Sequence, residues 1–256
     1  MNPIYENEWV KLYQGDCLEI MPQLDMKFDC CITDLPYGTT HNKWDSIVPF
    51  EPMWKELKRL VKDNGAICLF GSEPFSSALR MSNIPMFKYD WTWDKKIPSG
   101  MNYCKFRPMQ QTENISVFGK GTINYHPQMI KREKPIKETT GSKKTTNQIM
   151  PTFKYMGGKV YEYKNPINLI EFQRVPNASG TLHPTQKPIS LIEYFIRTYT
   201  NEGEIVLDFT SGSGTTGVAC METNRKCVLI EKEEKYCEIT IKRLQDKEKE
   251  MAERLF

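Results

Sequence analysis

The 256-residue sequence predicts an α/β fold with a doubly wound, mostly parallel sheet and one inserted segment. Apolar runs of strand length alternate with helical periodicity through residues 1–120, and the same alternation resumes through residues 182–256. Residues 121–181 keep no sustained period and exceed the loop lengths of compact domains. We therefore expect two halves of one α/β domain with an insertion between them.

The first half reads as alternating strands and helices. WVKLYQGD and FDCCITD are predicted strands, joined by a short amphipathic helix around Leu18 to Leu24. FEPMWKELKRLVKDNG has apolar residues at helical spacing and ends in Asn64-Gly65, which predicts a helix over that stretch. AICLFGS then reads as a buried strand, PFSSALRMS as a helix, and FKYDWTW and NISVFGKG as two strands. This order predicts a mostly parallel sheet with an antiparallel edge.

The second half supplies the rest of the sheet in a permuted order. Pro188 opens a helix in KPISLIEYFIRTYT, followed by strand EIVLDF, a glycine turn with a helix, strand KCVLIE and a last helix. Only 39 residues follow Gly217, whereas a dinucleotide fold continues for several strands after its glycine turn. The missing strands are those at the N-terminus, so the chain reads as a circularly permuted version of a common fold.

The net charge of +3 is modest but unevenly distributed. Residues 120–164 carry ten Lys and Arg against three Glu, a local charge of +7, which leaves −4 for the remainder. Such a basic stretch is either a solvated loop or a contact for nucleic acid. Because Ile136 is the only large apolar residue in Lys131–Gln148, we expect that part to be mobile without a partner.

Composition narrows the class of protein. The eight cysteines form no C-x-x-C pair and lie mostly in apolar runs, which predicts buried, reduced thiols and no zinc site. No signal-peptide pattern opens the sequence, and no apolar run approaches the length of a membrane span. We expect a soluble, cytoplasmic protein with neither metal nor membrane contact.

Two short motifs follow predicted strands. Asp34, Leu35, Pro36 and Tyr37 come directly after FDCCITD, where Pro-Tyr-Gly is an ordinary exit from a sheet but where ligands also bind in open α/β folds. LDFTSGSGTTGVA places glycines in G-x-G-x-x-G spacing between a strand and a helix, with Glu231 ending the next strand. Glycines allow close backbone approach and the acid accepts ribose hydroxyls, so this turn predicts a nucleoside cofactor, dinucleotides included.

Four motifs in one permuted order resemble the beta-class amino-DNA methyltransferases, the DPPY-type adenine-specific DNA methylases. They are YQGDCLEIMPQL, the tetrapeptide Asp34–Tyr37, HPTQKP at His183–Pro188 and the run Phe209–Gly214. The resemblance covers nearly everything except about Gly121–Thr181. Leu35 replaces the first proline of the common motif, and the glycine motif is one residue longer after its phenylalanine. In this family the residue at position 35 acts through its backbone carbonyl, so the substitution affects loop rigidity more than chemistry.

The resemblance implies a class I S-adenosylmethionine-dependent methyltransferase fold. Residues 1–120 would be the catalytic half, 121–181 a partly mobile target-recognition insertion and 182–256 the cofactor half. The implied reaction moves a methyl group from S-adenosylmethionine to the exocyclic amino group of an adenine flipped out of double-stranded DNA. The Asp34 carboxylate and Leu35 carbonyl would accept the amino hydrogens, and Tyr37 would stack on the base.

The resemblance also implies a set of cofactor-binding residues. Glu231 would hold the ribose hydroxyls, Asp16 and Cys17 the adenine ring, and a group around Lys187 the methionine end. The complete set is Asp16, Cys17, Thr185, Lys187, Asp208, Phe209, Gly212, Gly214, Thr215, Thr216 and Glu231. From the residues alone, Asp16 also suits a helix N-cap and Lys187 a surface position.

Several alternatives stay open. Methylation of the exocyclic amino group of cytosine needs the same geometry, although that branch of the family tends to have Ser in place of Asp34. An RNA or protein amide methyltransferase usually has NPPY after its glycine motif, unlike the order seen here. The remaining alternatives are a DNA-binding module without catalytic activity and a dinucleotide oxidoreductase. Neither of them explains the presence of Asp34 and Tyr37. A homodimer and a separate restriction endonuclease are partners that the sequence neither requires nor excludes.

Overall fold

The computed structural model describes most of the chain in two compact units. The described residues are 2–38, 46–138, 141–143, 153–155, 158–176 and 186–254, with the backbone alone at 141–143 and 153–155. One unit comprises residues 1–126 and 168–256, and the other comprises residues 127–167. The first three residues of HPTQKP, Thr185 among them, lie outside the described residues, so the role predicted for Thr185 stays a prediction.

The elements alternate along the chain as the sequence predicts for an α/β protein. The strands are β1 (Tyr5–Glu6), β2 (Val10–Gln14), β3 (Phe28–Asp34), β4 (Val61–Gly71), β5 (Phe87–Ser99), β6 (Gln110–Phe118), β7 (Ile130–Lys137), β8 (Gly141–Lys143), β9 (Phe153–Tyr155), β10 (Val160–Lys164), β11 (Leu169–Glu171), β12 (Ile205–Asp208) and β13 (Lys226–Glu231). The helices are α1 (Cys17–Ile20), α2 (Phe50–Leu60), α3 (Phe75–Ser82), α4 (Ile189–Tyr199), α5 (Thr215–Glu222) and α6 (Glu234–Glu253). Single 3-10 turns lie at Met21–Gln23, Ile84–Met86 and Met101–Tyr103.

The larger unit is built on one nine-stranded sheet in the order β1-β2-β13-β12-β3-β4-β6-β5-β11. Strands β2, β13, β12, β3 and β4 are parallel, whereas β6 is antiparallel to both β4 and β5. This confirms the mostly parallel sheet with an antiparallel edge. Between β12 and β3 the winding reverses, because β12 leads to β13 on one side and β3 leads to β4 on the other. Ligands of doubly wound folds bind at the carboxyl ends of strands at such a point.

Both faces of the sheet are covered by helices, which is why its central strands β3, β12 and β13 are mostly apolar. One face packs against α4, α5 and α6, with Phe195 and Tyr199 of α4 completely buried. The other face packs against α1, α2 and α3, where the Trp54 ring lies 4.8 Å from that of Phe118. The parallel strands are thereby held in a fixed register, and their carboxyl ends form a rigid frame.

Helix α2 ends earlier than the sequence predicts. Its apolar spacing extends to Val61 and its stop signal to Gly65, but the helix closes at Leu60. Val61 is instead the first residue of β4 and pairs with Phe28 of β3. A buried Val fits both a helical and a strand pattern. Its pairing with Phe28 of β3 places it in the strand rather than in the helix.

The smaller unit has regular structure where the sequence shows no sustained period, and Ile130–Lys137 forms a strand that the sequence pattern does not predict. β7 pairs antiparallel with β10, with a register shift between Tyr161 and Tyr163, and β8 pairs with β9. The side chains of β7 and β10 are mostly exposed, so backbone pairing leaves no apolar alternation to detect in the sequence. The mobility expected for Lys131–Gln148 stays a prediction.

The cysteines are all free, and seven of the eight are buried in the sheet or its helices. Cys104 is the exposed one. In the described part of the chain no helix has both the length and the apolar character needed to cross a bilayer.

Candidate active site

A cavity of about 230 Å³ opens at the carboxyl ends of β3 and β12, where the winding of the sheet reverses. Of the predicted site residues, the cavity is lined by Asp16, Cys17, Asp34, Leu35, Pro36, Lys187, Asp208, Phe209, Gly212, Thr215, Thr216 and Glu231. Residues from five separate stretches of the sequence therefore meet in one place.

Three acidic residues end three neighbouring parallel strands at this cavity. Asp34 is the last residue of β3, Asp208 of β12 and Glu231 of β13. Asp208 is 4 % and Glu231 8 % exposed, so both carboxylates are buried and need internal partners. Their different partners give the three carboxylates different properties.

The Asp34 carboxylate points into the cavity with a quarter of its side chain exposed. Its Oδ1 accepts a hydrogen bond from the Tyr37 hydroxyl at 2.6 Å, and its Oδ2 accepts one from the Lys187 ammonium. The Asp34 backbone carbonyl accepts the Thr210 hydroxyl at 2.9 Å, which ties this strand end to the glycine loop. Burial raises the pKa of Asp34 above its ordinary value, and the Lys187 charge limits that rise.

Tyr37 lies beside Asp34 with its ring against α3. Its centroid is 5.2 Å from that of Phe75, with the ring planes tilted by 32°. The carboxylate and the ring predicted to grip one base are thus brought together by the turn after β3. Leu35, 3 % exposed, fills the space behind the turn.

Lys187 is buried rather than on the surface, and its side chain is 9 % exposed. Besides Asp34, its Nζ lies 3.6 Å from Glu113 Oε2 and 5.3 Å from the centre of the Phe70 ring. Burial opposes its charge, but the two carboxylates raise the pKa of Lys187 above its ordinary value. The surface alternative for this residue is wrong, and the ammonium is held charged at the site.

Glu113 and Lys95 extend this cluster, and sequence reasoning missed both. Glu113 Oε1 accepts from Lys95 Nζ at 3.1 Å, and Lys95 is 4 % exposed. Although burial opposes ionisation, Lys187 and Lys95 hold the pKa of Glu113 below its ordinary value. Asp34, Lys187, Glu113 and Lys95 form a row of alternating charges that we call the charge row. Neither added residue lies in a motif, so only the pairing of β5 with β6 brings them to the site.

The glycine loop is closed around Glu231. Glu231 Oε2 accepts from the Gly212 amide at 2.7 Å and its Oε1 from the Glu233 amide at 2.8 Å. Gly214 has φ of +73° and precedes α5, and a Cβ there would lie 2.5 Å from Thr240 Cγ2. Only glycine fits that position, for both conformation and space.

Asp208 supports the loop from below. Its Oδ2 accepts from the Thr216 hydroxyl at 2.6 Å and its Oδ1 from the Thr33 hydroxyl at 3.1 Å. Burial raises the pKa of Asp208 to about 7. The Thr215 hydroxyl, which also lines the cavity, lies 3.2 Å from Arg243 Nη1. The threonines after the glycines therefore brace the cavity floor.

Asp16 has a structural contact and a cavity position at the same time. Its Oδ1 caps α1 by accepting the Leu18 amide at 2.9 Å, and its Oδ2 lies 3.1 Å from Lys232 Nζ. Asp16 and the buried Cys17 next to it both line the cavity. The N-cap alternative is correct, and it places the residue where a ligand would meet it.

The cavity wall suits a polar nucleoside ligand. Gln186 Oε1 and Ser211 Oγ are buried without a hydrogen-bond partner among the described residues, and both residues line the cavity. Unpaired buried polar atoms are costly, so they mark places where a ligand or water completes the bonding. Among the residues with described positions, no group of three metal-ligating side chains occurs.

The doubly wound sheet, the cavity at the reversal point and the glycine loop define a class I methyltransferase. Residues 28–242 match the family model described as "DNA methylase", and the chain belongs to this family of amino-DNA methyltransferases. The family assignment confirms the resemblance to amino-DNA methyltransferases, and it covers methylation of both adenine and cytosine.

Individual relatives agree with this assignment. Type II methyltransferase M1.MboII of Moraxella bovis is 29 % identical over 240 residues, which span 85 % of this chain and 90 % of the relative. The crystal structure of the M1.HpyAVI-SAM complex superposes with a TM-score of 0.60 at 27 % identity, covering 92 % of this chain and all of the other. PvuII DNA methyltransferase (cytosine-N4-specific) shares the fold, with a TM-score of 0.65 at 17 % identity over 96 % of this chain and 93 % of its own.

Proposed function

We propose that the protein methylates the N6 amino group of an adenine in a specific sequence of double-stranded DNA, with S-adenosylmethionine as the cofactor. The observation that carries the proposal is the Asp34 carboxylate, which enters the cavity beside Leu35 and Pro36 at the strand end next to the glycine loop. When bound, S-adenosylmethionine supplies an electrophilic methyl group. The chain has to present the amino group to it.

The adenine amino group is a weak nucleophile because its lone pair is delocalised into the ring. Asp34 Oδ and the Leu35 carbonyl would accept its two hydrogens and turn the lone pair toward the methyl group. Both Asp34 oxygens already accept a bond, but each carboxylate oxygen has room for a second, so the amino group can enter without displacing Lys187. Orientation of this kind accounts for up to roughly 7 to 11 kcal/mol of a barrier.

Transfer of the methyl group leaves the amino nitrogen with a proton to lose. Asp34 is in contact with that nitrogen and is raised in pKa by burial, so it is a suitable acceptor. The adjacent positive charge of Lys187 lowers the pKa of Asp34 and so favours its ionised form. Asp34 can therefore release the proton again after it has accepted it. Tyr37 would stack on the extruded base, which offsets part of the cost of unstacking.

Nucleoside analysis of methylated DNA tests the choice of base. The purified protein is incubated with unmethylated genomic DNA and S-adenosylmethionine, the DNA is digested, and N6-methyladenine and N4-methylcytosine are separated by mass spectrometry. We expect N6-methyladenine alone, and sequencing of the same DNA then locates the site. N4-methylcytosine would establish the alternative reaction, which the same fold supports in PvuII DNA methyltransferase.

We also propose two kinds of partner besides DNA, a separate restriction endonuclease and a second copy of the chain. Restriction-modification methyltransferases protect DNA from a separate endonuclease, and such a partner, like a homodimer, is compatible with this chain. An intracellular location is consistent with its buried free thiols.

Cofactor binding gives a prediction for Glu231. We expect calorimetric titration to show S-adenosylmethionine binding and no binding of a nicotinamide dinucleotide. Glu231→Gln removes the negative charge and one of the two oxygens that accept the Gly212 and Glu233 amides, so the cofactor affinity should fall about tenfold to a hundredfold. Glu238→Gln is the matched control, because Glu238 is an exposed glutamate of α6 that does not line the cavity. Equal affinities of the two variants would contradict the assignment of Glu231.

We further propose that the smaller unit is the target-recognition region. β7 presents exposed basic side chains, and only Arg132 among them is half-buried, with its Nε 3.2 Å from the Tyr163 carbonyl. An ordered antiparallel strand pair with charged side chains matches the kind of two-stranded ribbon that enters a major groove. Phosphate contacts by its lysines would add affinity without sequence preference.

Removing four positive charges from β7 tests this role through salt dependence. The variant Lys131→Ala, Arg132→Ala, Lys134→Ala and Lys137→Ala should weaken DNA binding and flatten the log-log salt slope by about 0.9 per lost phosphate contact. Cofactor affinity should be unchanged. The charge-matched control replaces four exposed lysines of the larger unit by Ala, namely Lys58, Lys226, Lys242 and Lys249. The recognition role is wrong if both variants change the salt slope equally.

A further inference from the structure

The turn between β5 and β6 exposes apolar and basic side chains side by side. We call residues Gly100–Met109 the β5–β6 tip. Within it Phe106 is 86 % exposed, Met101 66 % and Tyr103 56 %. Lys105 and Arg107 flank Phe106, and the tip contains no acidic residue. Three large apolar side chains within six residues are more than the scattered exposure that is normal for a surface, and they indicate an interaction site.

The tip is preformed by its own backbone rather than by packing on the core. The Tyr103 amide donates to the Gly100 carbonyl at 2.9 Å, and the Phe106 amide donates to the Tyr103 carbonyl at the same distance. The Arg107 guanidinium lies 5.0 Å above the Tyr103 ring. At the base, Ser99 pairs with Gln110 across the two strands. A stable turn thus presents Phe106 to the outside.

The tip lies at the edge of the sheet that holds the active site. Asp34 of β3 is aligned with Phe70 of β4, and Phe70 with Ile115 of β6, so the three form one row across the sheet. Because β6 runs antiparallel to β4, its residues before Ile115 continue past the carboxyl end of β4. Gln110 is five residues along, about 17 Å beyond the row. The tip therefore projects past the edge at which Asp34 meets its substrate.

We propose that the β5–β6 tip docks on the DNA duplex beside the target base, with Phe106 inserted against the neighbouring bases. This rests on the proposed function, since a base held at Asp34 has left its stack. An extruded base leaves a step that apolar side chains can fill, and wedges of this kind are common where duplexes are opened or bent. Lys105 and Arg107 on either side of Phe106 match the phosphates that flank such a step.

Cys104 allows the contact to be observed in the unmodified protein. It is the exposed cysteine, and the other seven are buried, so a maleimide reagent should label Cys104 alone. The duplex carries the sequence that the protein methylates and is added at saturating concentration with the cofactor product S-adenosylhomocysteine. We expect the labelling rate to fall at least about fivefold, as the tip becomes covered. An unchanged labelling rate in saturated complex overturns the proposal.

Substitution of Phe106 separates insertion from mere proximity. Dissociation constants are measured by fluorescence anisotropy for a matched duplex and for one mismatched at the target base. Loss of one stacked side chain should weaken binding of Phe106→Ala to the matched duplex about tenfold. A mismatched base costs less to extrude, so the loss should be smaller there. Phe106→Trp should bind like the wild type.

A control of similar exposure lies on α3. Met81 is 69 % exposed near the C-terminal end of that helix, and Met81→Ala should bind both duplexes like the wild type. Equal losses in Phe106→Ala and Met81→Ala, or a loss that is the same on both duplexes, overturn the insertion of Phe106. Protection of Cys104 that follows protein concentration and not DNA overturns it in favour of a second copy of the chain. If the wild-type protein neither binds nor methylates DNA, the proposed function itself is wrong. This result is obtained without any variant and is therefore distinct from a failure of the tip proposal.

Discussion

We expect Asp34→Ala to abolish methyl transfer to DNA and to leave S-adenosylmethionine affinity nearly unchanged. In the proposed mechanism the side chain orients the amino group and takes up its proton, so kcat should fall about a thousandfold or more. The cofactor should still bind, because the loop around Glu231 is held by its own hydrogen bonds. Single-turnover methylation with radiolabelled cofactor measures the rate, and calorimetry measures the affinity.

Two further variants keep this result interpretable. Asp34→Asn preserves the size of the side chain, and its amide oxygen still accepts one hydrogen bond, so it separates the charge of Asp34 from its shape. Asp63→Asn breaks another carboxylate–lysine pair, with Lys120, at an exposed position near the amino end of β4. Near wild-type turnover in Asp34→Ala would remove Asp34 from the mechanism, and comparable loss in Asp63→Asn would show that the effect is not specific to the site.

The fold could largely be predicted from the sequence because the central strands of the large sheet are buried on both faces. FDCCITD, predicted as a strand, coincides with β3 from end to end, since a mostly apolar stretch of seven residues that ends at Asp34, before Leu-Pro, is too short for a helix. The region around Ile130–Lys137 was not readable, because a strand pair with exposed side chains is set by backbone hydrogen bonds that leave no apolar pattern. The permuted order followed from the position of the glycine turn near the C-terminus.

The residues of the candidate site were likewise only partly predictable from the sequence. Residues at strand ends, such as Asp34 and Glu231, could be placed from sequence because the carboxyl ends of parallel strands converge at one edge. The charge row could not, because Glu113 and Lys95 lie on antiparallel strands with no motif, and their contact depends on the register Trp93–Glu113 between β5 and β6. The burial of Lys187 was equally hidden, since a lysine two residues after a threonine reads as surface.

The charge row predicts how the pH dependence of turnover responds to Lys187→Met. In the proposed mechanism turnover needs ionised Asp34, so the acid limb of the kcat profile should follow the Asp34 pKa in the complex. The charged and titratable groups that act on Asp34 are Lys187, Glu113, Tyr37 and Asp208. Of these, Lys187 lowers the pKa of Asp34, and Glu113 raises it.

Lys187→Met should therefore move the acid limb to higher pH, because the cation that favours the ionised form is gone. Glu113→Gln should move it to lower pH, because it removes the negative charge that opposes ionisation. Lys95→Met is the matched control: it deletes a second buried lysine of the same row, which binds Glu113. Breaking a buried pair costs about 3 to 5 kcal/mol, so all three variants should be less stable to denaturant. A merely structural row would lower stability in each case and leave the acid limb where it is, whereas shifts of opposite sign for Lys187 and Glu113 require both charges to act on Asp34.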